Sequence, residues 1–402
     1  MKKLAATVPA ASMVLSLFIA CGAEKKEGTT ETNKASLHTL FFRDSSKSTE
    51  VTATFFNSVS GKSEDVKMTK CGEDSDAFTF SCEGDTAAYN MAYISYDNIT
   101  TDKFAFNECV SGWYSSERGF MPYTEGKEIK YKYDPDEVTL TCNGYDKKVN
   151  IWKPDDYDPS SDEKYATIYL LDGQGMLYLD FPGETILDSE HAEVQVQSMM
   201  AVTGKRAIIV GIHNYGNLED IGRDDELIPD LGRISQGEDY EWTLKYGGET
   251  SKFIADEVVP YVQKHYNVYT DAAHTSIAGK SLGGLESFYI AMEHPEIFGT
   301  AGVLSPSFWV YDDATWRKYL GTKTLDKNSP FLYFYSGNET DDTGKETKEM
   351  VQRIKEMGYP TDKFVFHYSD HGDHSVPYWR AIFSEFLEAA FFPEALLVTG
   401  EI

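Results

Sequence analysis

A chain of 402 residues, 14% aromatic and 25% charged, has the composition of a globular protein with room for two domains. Its net charge of −28 excludes a nucleic-acid partner, since binding would have to overcome phosphate repulsion.

The chain opens on an export signal. Lys2 and Lys3 precede an apolar run that contains Pro9 and ends in small residues at Cys21. That run is shorter than the ~20 residues of a membrane-spanning helix. F-I-A-C-G around Cys21 resembles a bacterial lipobox, with Phe18 where Leu is usual. Residues 1–20 are therefore expected to be a lipoprotein signal peptide, with Cys21 lipidated and residues 21–36 a flexible polar tether. The expected location is a bacterial envelope, lipid-anchored at the outer membrane or cell surface, with plain secretion as the second choice.

Four cysteines remain: Cys71, Cys82, Cys109 and Cys142. An even number in an exported chain points to two disulfides, with Cys71–Cys82 across a hairpin expected first. A zinc site fits less well, because no C-x-x-C is present and histidines are absent nearby.

Residues 37–134 carry short alternating runs, among them V-T-A-T-F-F, A-F-T-F and F-A-F, with turn residues near every tenth position. That pattern predicts a small all-β sandwich. Trp113 and Tyr114 could form a sugar-stacking platform within it, although such rings are more often core.

Residues 135–402 change to alternating strands and helices, which predicts a doubly wound parallel sheet. A-T-I-Y-L-L is a buried strand, 186–202 a helix, A-I-I-V-G-I the next strand, and 253–265 a helix that tolerates Pro260. Further strands are expected at 331–335 and 364–368, and helices at 345–357 and 378–390.

Between a short strand and a helix lies A-G-K-S-L-G-G-L-E-S-F. Gly279-Lys280-Ser281 could close a phosphate-binding loop, but the glycine that such a loop needs five residues earlier is His274. G-x-S-x-G on a strand-to-helix turn instead presents Ser281 as a nucleophile at the strand's carboxyl edge. A serine nucleophile needs a base and an orienting carboxylate, in the chain order Ser, acid, His. S-G-N-E-T-D-D and then H-G-D-H supply both, each after a strand.

Y-L-L-D-G-Q-G, F-I-A-D-E-V-V-P-Y-V, the serine motif, H-P-E-I-F-G, L-S-P-S-F-W and G-D-H-S-V-P-Y-W together resemble the putative-esterase family of α/β-hydrolases. That family includes esterase D, enterochelin esterases and carbohydrate esterases that remove feruloyl or acetyl groups from xylan. The resemblance implies Ser281 as nucleophile and His374 as general base, with His371 the alternative. It places the acid just after the strand ending at Gly337, with Glu339 preferred and Asp341 and Asp342 as alternatives. It implies backbone N–H groups of Leu282 and Gln174 as the oxyanion hole. No metal or organic cofactor is called for.

For substrate, Tyr215, Trp242 and Trp309 offer stacking faces for a sugar or phenolic acyl group, and cations are sparse around them. The expectation is an exported serine esterase removing feruloyl or acetyl groups from plant hemicellulose. A siderophore esterase and an acyltransferase are the alternatives on the same fold. A non-catalytic glycan-binding lipoprotein is the alternative of another class.

Overall fold

The computed structural model describes residues 37–391 except 74–77, 109–110, 116–118, 125–126, 129–134, 143, 177–190, 215–221 and 236–244. The expected signal peptide and tether, with Cys21, lie outside the described residues, as do Cys109, Tyr215 and Trp242.

The N-terminal strands are β1 (Leu37–Asp44), β2 (Val51–Phe56), β3 (Ser63–Lys67), β4 (Thr69–Glu73), β5 (Phe78–Asp85), β6 (Met91–Tyr96), β7 (Ile99–Thr100), β8 (Phe104–Ala105), β9 (Ser111–Ser115), β10 (Gly119–Thr124) and β11 (Lys127–Glu128). One sheet runs β11-β10-β9-β1-β5-β4, and the other β3-β2-β6-β7 with β8 also on β6. Alternation along each strand gives the two sheets facing apolar surfaces. Leu40, Phe42 and Phe80 from the first meet Ala53, Phe55 and Ile94 from the second in one core.

Two expectations change here. Cys71 and Cys82 are not joined: β4 and β5 pair Thr69 with Ser81 and Lys70 with Phe80, and a bulge displaces Cys71 from the ladder. The two thiols therefore never face each other across the hairpin. Tyr114 is a core ring rather than a platform, 5% exposed and stacked on Phe104 at 4.4 Å.

The second sheet system contains β12 (Asp136–Cys142), β13 (Tyr145–Trp152), β14 (Ala166–Leu171), β15 (Ala207–Ile212), β16 (Thr275–Lys280), β17 (Thr300–Leu304), β18 (Phe331–Ser336) and β19 (Phe364–Tyr368). Their order is β12-β13-β15-β14-β16-β17-β18-β19. β12 and β13 form an antiparallel hairpin that joins β15, and from there to β19 every pairing is parallel. Central strands are apolar without alternation because helices cover both faces.

The helices are α1 (Gly173–Met176), α2 (Ala192–Thr203), α3 (Arg223–Leu227), α4 (Gly247–Phe253), α5 (Val259–His265), α6 (Leu282–Glu293), α7 (Asp313–Leu320), α8 (Gly344–Glu356) and α9 (Val376–Phe391). The expected helix over 253–265 is present with a wide turn at Ile254–Val258, just before Pro260, which has no N–H to give the ladder.

The sandwich is packed into this second system. Phe56, Met91 and Ala105 share a core with Trp152, Tyr378, Trp379 and Phe383. Val194 of α2 enters the sandwich core in return.

Candidate active site

Ser281 follows β16 and caps α6 with φ 58° and ψ −123°, a conformation that costs a non-glycine residue roughly 1–3 kcal/mol. Backbone bonds hold it there. Its N–H donates to Leu304 O at 3.0 Å, and its carbonyl accepts from Leu285 N and Ser307 N, each at 3.1 Å. Gly279 is required because a Cβ there would overlap the Gly283 backbone on the other arm of the turn. The sharp turn projects the Ser281 side chain at the carboxyl edge of the parallel strands. Its Oγ lies 3.5 Å from Ser307 Oγ, and no hydrogen bond joins it to His374 in this structure.

The acid is the main correction. His374 Nδ1 bonds Asp342 Oδ1 at 2.7 Å, and the Asp342 side chain is fully buried while His374 is 35% exposed. Glu339 instead pairs with Lys348 at 2.8 Å in solvent. Asp341 accepts from Asn338 Nδ2 at 3.2 Å, and its carbonyl takes the His374 N–H at 3.1 Å. The loop coils back over Gly337, so the carboxylate five residues on returns to the strand end and Glu339 points outward. Burial alone would raise the Asp342 carboxyl. Hydrogen bonds from His374, the Ser305 hydroxyl and the N–H groups of Gly337 and Thr343 outweigh it and hold the group below the usual carboxylate range.

Two residues outside the expected set complete this corner. Ser305, at φ 41°, donates to Asp342 Oδ2 at 2.7 Å and accepts from Trp379 Nε1 at 2.9 Å. The Trp379 ring stands edge-on to His374, centroids 4.8 Å apart, and lies 5.0 Å from the Lys280 ammonium beside the serine. Both residues fall inside stretches visible in the sequence, L-S-P-S-F-W and G-D-H-S-V-P-Y-W.

His371, the alternative base, is three residues away but faces elsewhere. Its ring lies directly over Gly61 of the sandwich, where a Cβ would overlap it.

The turn after β14 supplies the other wall. Asp172, at φ 54°, starts α1, and Gly173 leaves no room for a Cβ against the Gly211 and Ile212 backbone. Arg223 Nε and Nη2 each donate to Asp172 at 2.6 Å. Asn214 Nδ2 donates to Asp172 Oδ1 at 2.7 Å, and Gln174 Nε2 donates to Asn214 Oδ1 at 2.9 Å. A Cβ on Gly283 would come within 3.1 Å of Asp172 Oδ2, so this turn abuts the first turn of α6. The turn that carries Gln174 thus lies against the helix start that carries Leu282. The Leu282 N–H, at the helix start, has no intrahelical acceptor.

Trp309 is half-buried and lines a cavity of ≈210 Å³ with Tyr311, Glu346 and Arg353, on the side of α7 and α8.

The family model described as "Putative esterase" matches residues 143–389. Among curated proteins, uncharacterized protein YbbA of Bacillus subtilis (strain 168) is 26% identical over 152 residues, 36% of this chain and 60% of its own. The endo-1,4-beta-xylanase/feruloyl esterase of Xylanibacter ruminicola is 22% identical over 249 residues, 60% of this chain and 29% of its own. The chain thus spans less than two thirds of both relatives. Among solved structures, the enterobactin esterase FES of Shigella flexneri has TM-score 0.47 and 14% identity, covering 89% of this chain and 93% of its own. A ferulic acid esterase of Anaeromyces mucronatus has TM-score 0.47 and 18% identity, covering 67% and 94%.

Proposed function

We propose, for a chain that belongs to the putative-esterase family and is a carboxylic ester hydrolase, that Ser281 is the nucleophile, His374 its general base and Asp342 the carboxylate that orients the base. The observation that carries this is the 2.7 Å bond from His374 Nδ1 to a buried carboxylate. It fixes the tautomer and leaves Nε2 as the free basic nitrogen. Rotation of the Ser281 side chain away from Ser307 brings Oγ to that nitrogen, a tightening common on substrate binding.

His374 takes the hydroxyl proton as Oγ attacks the ester carbonyl. The N–H groups of Leu282 and Gln174 receive the oxyanion, at ~3 kcal/mol per donor. Collapse breaks the ester C–O bond, the alcohol leaves with the proton from His374, and water repeats the cycle on the acyl-enzyme.

The substrate we infer is a feruloyl or acetyl ester of plant hemicellulose. Two things support it. One relative carries a name that joins a xylanase to a feruloyl esterase. Among the described residues the cations near the site are also committed, since Arg223 gives its Nε and Nη2 to Asp172 and Lys280 lies over the Trp379 ring, whereas a multiply anionic ferric siderophore would want uncommitted cations there. Lipidation at Cys21 would hold the enzyme on the envelope facing polymer outside. The test is release of ferulate or acetate from arabinoxylan or acetylated xylan by wild type and by Ser281→Ala. Cleavage of a ferric siderophore with no action on any xylan ester would overturn the substrate.

A further inference from the structure

We propose that the N-terminal sandwich is a working part of the active site, holding the loop that carries His374. The inference rests on the assignment of His374 as base.

The loop over residues 369–374 has two anchors. On one side is the acid loop: Gly372 O accepts from Asn338 N at 3.0 Å and Asn338 Nδ2 at 2.9 Å, and His374 N donates to Asp341 O. On the other side is the turn over residues 57–62, which joins β2 to β3. There the Ser369 hydroxyl donates to Ser58 O, and the His371 ring lies on Gly61, which has φ 68°. Ser369 Oγ also accepts the His371 N–H at 3.2 Å.

The turn is stiff enough to act as an abutment. Asn57 Oδ1 accepts from Val59 N at 3.0 Å and Ser60 N at 2.8 Å, and Gly61 N donates to Asn57 O at 2.9 Å. Asn90 clasps Ser58 from β6's approach, with Ser58 N to Asn90 Oδ1 and Asn90 Nδ2 to Ser58 Oγ both at 2.8 Å. The sandwich also grips the helix that follows the loop: Lys103 Nζ donates to Tyr378 OH at 3.0 Å and Asn107 Nδ2 to Ala381 O at 2.9 Å. Gly61, Ser58 and Ser369 are therefore positioning residues. They act through the His374 loop, and a shift of ~1 Å there can cost about a hundredfold in rate.

The experiment uses the full chain, p-nitrophenyl acetate kinetics and the rate of Ser281 labelling by a fluorophosphonate. Gly61→Ala drives a methyl into the His371 ring at a backbone angle unfavourable to alanine. It should lower kcat about ten- to a hundredfold, leave KM within about twofold, and slow labelling in parallel. Ser369→Ala should lower kcat in the same direction by less, and decides the matter if Gly61→Ala does not fold. Phe120→Leu, in the sandwich core away from the turn, should lower Tm and leave kcat unchanged. Wild-type kcat in folded Gly61→Ala and Ser369→Ala would overturn the inference, as would an equal kcat loss in Phe120→Leu at equal Tm. If Ser281→Ala and His374→Ala are inactive in the same assays, only the positioning role has failed. If either is active, the site assignment itself has.

Discussion

The Ser305 hydroxyl donates to Asp342 Oδ2 at 2.7 Å, and Ser305 Oγ in turn accepts the Trp379 indole N–H at 2.9 Å. With Asp342 on His374 and the Trp379 ring edge-on to that imidazole, the four side chains close a circuit around the base. Ser305→Gly removes the hydroxyl while relieving the backbone at φ 41°. Tm should fall modestly, because the unpaired Trp379 N–H and Asp342 oxygen outweigh the backbone relief, and kcat should fall about tenfold, the scale of one hydrogen bond to a charged group. Unchanged kcat would show that the circuit is ornamental.

Asp342→Asn should lower kcat by about 10⁴, because an amide in that place favours the wrong imidazole tautomer. Glu339→Gln should change kcat by less than about threefold, since its partner Lys348 is a solvent-exposed ion pair. The pair of measurements on one ester separates the two acids directly.

Glu286 on α6 is fully buried, and neither carboxyl oxygen has a hydrogen-bond partner. Burial pushes its carboxyl well above the ordinary value of 4.5; nearby Lys147 opposes this, and Glu226 and Glu293 add to it. An acid whose folded value is raised stabilises the fold fully below its unfolded value, and that contribution is lost as pH rises above it. Melts of wild type and Glu286→Gln should therefore coincide near pH 4 and separate as pH climbs past 4.5, with the glutamine variant the more stable. Curves that stay parallel across the range would contradict a raised Glu286 carboxyl.

Lys147 and Glu226 meet at 2.6 Å with side chains 3% and 0% exposed. Lys147→Met alone leaves a buried carboxylate without its cation and should cost about 3–5 kcal/mol in denaturant titration. Adding Glu226→Leu should recover much of that loss. A double variant as weak as the single would show that packing, and not charge, sets the cost.

Much of this molecule can be read from residue order. Runs such as A-T-I-Y-L-L and A-I-I-V-G-I mark β14 and β15 because both faces of those strands are covered. G-K-S-L-G between strand and helix marks the serine turn. His374 is legible through its place after the last strand. The acid is not, because Glu339, Asp341 and Asp342 are close in sequence, and the choice depends on how the loop coils over Gly337 to reach Ser305. Cys71 and Cys82 mislead for a similar reason: a bulge shifts the register by one residue, which spacing cannot reveal. The contact between Ser58 and Ser369 spans 311 residues, and no local pattern encodes it.

The backbone of Ser281, held at φ 58° by its neighbours, belongs to the turn and not to the hydroxyl it displays. A glycine would sit there with less strain than the serine, so a chain stripped of its nucleophile would be the sturdier molecule. Drift toward greater robustness at this position thus runs against catalysis.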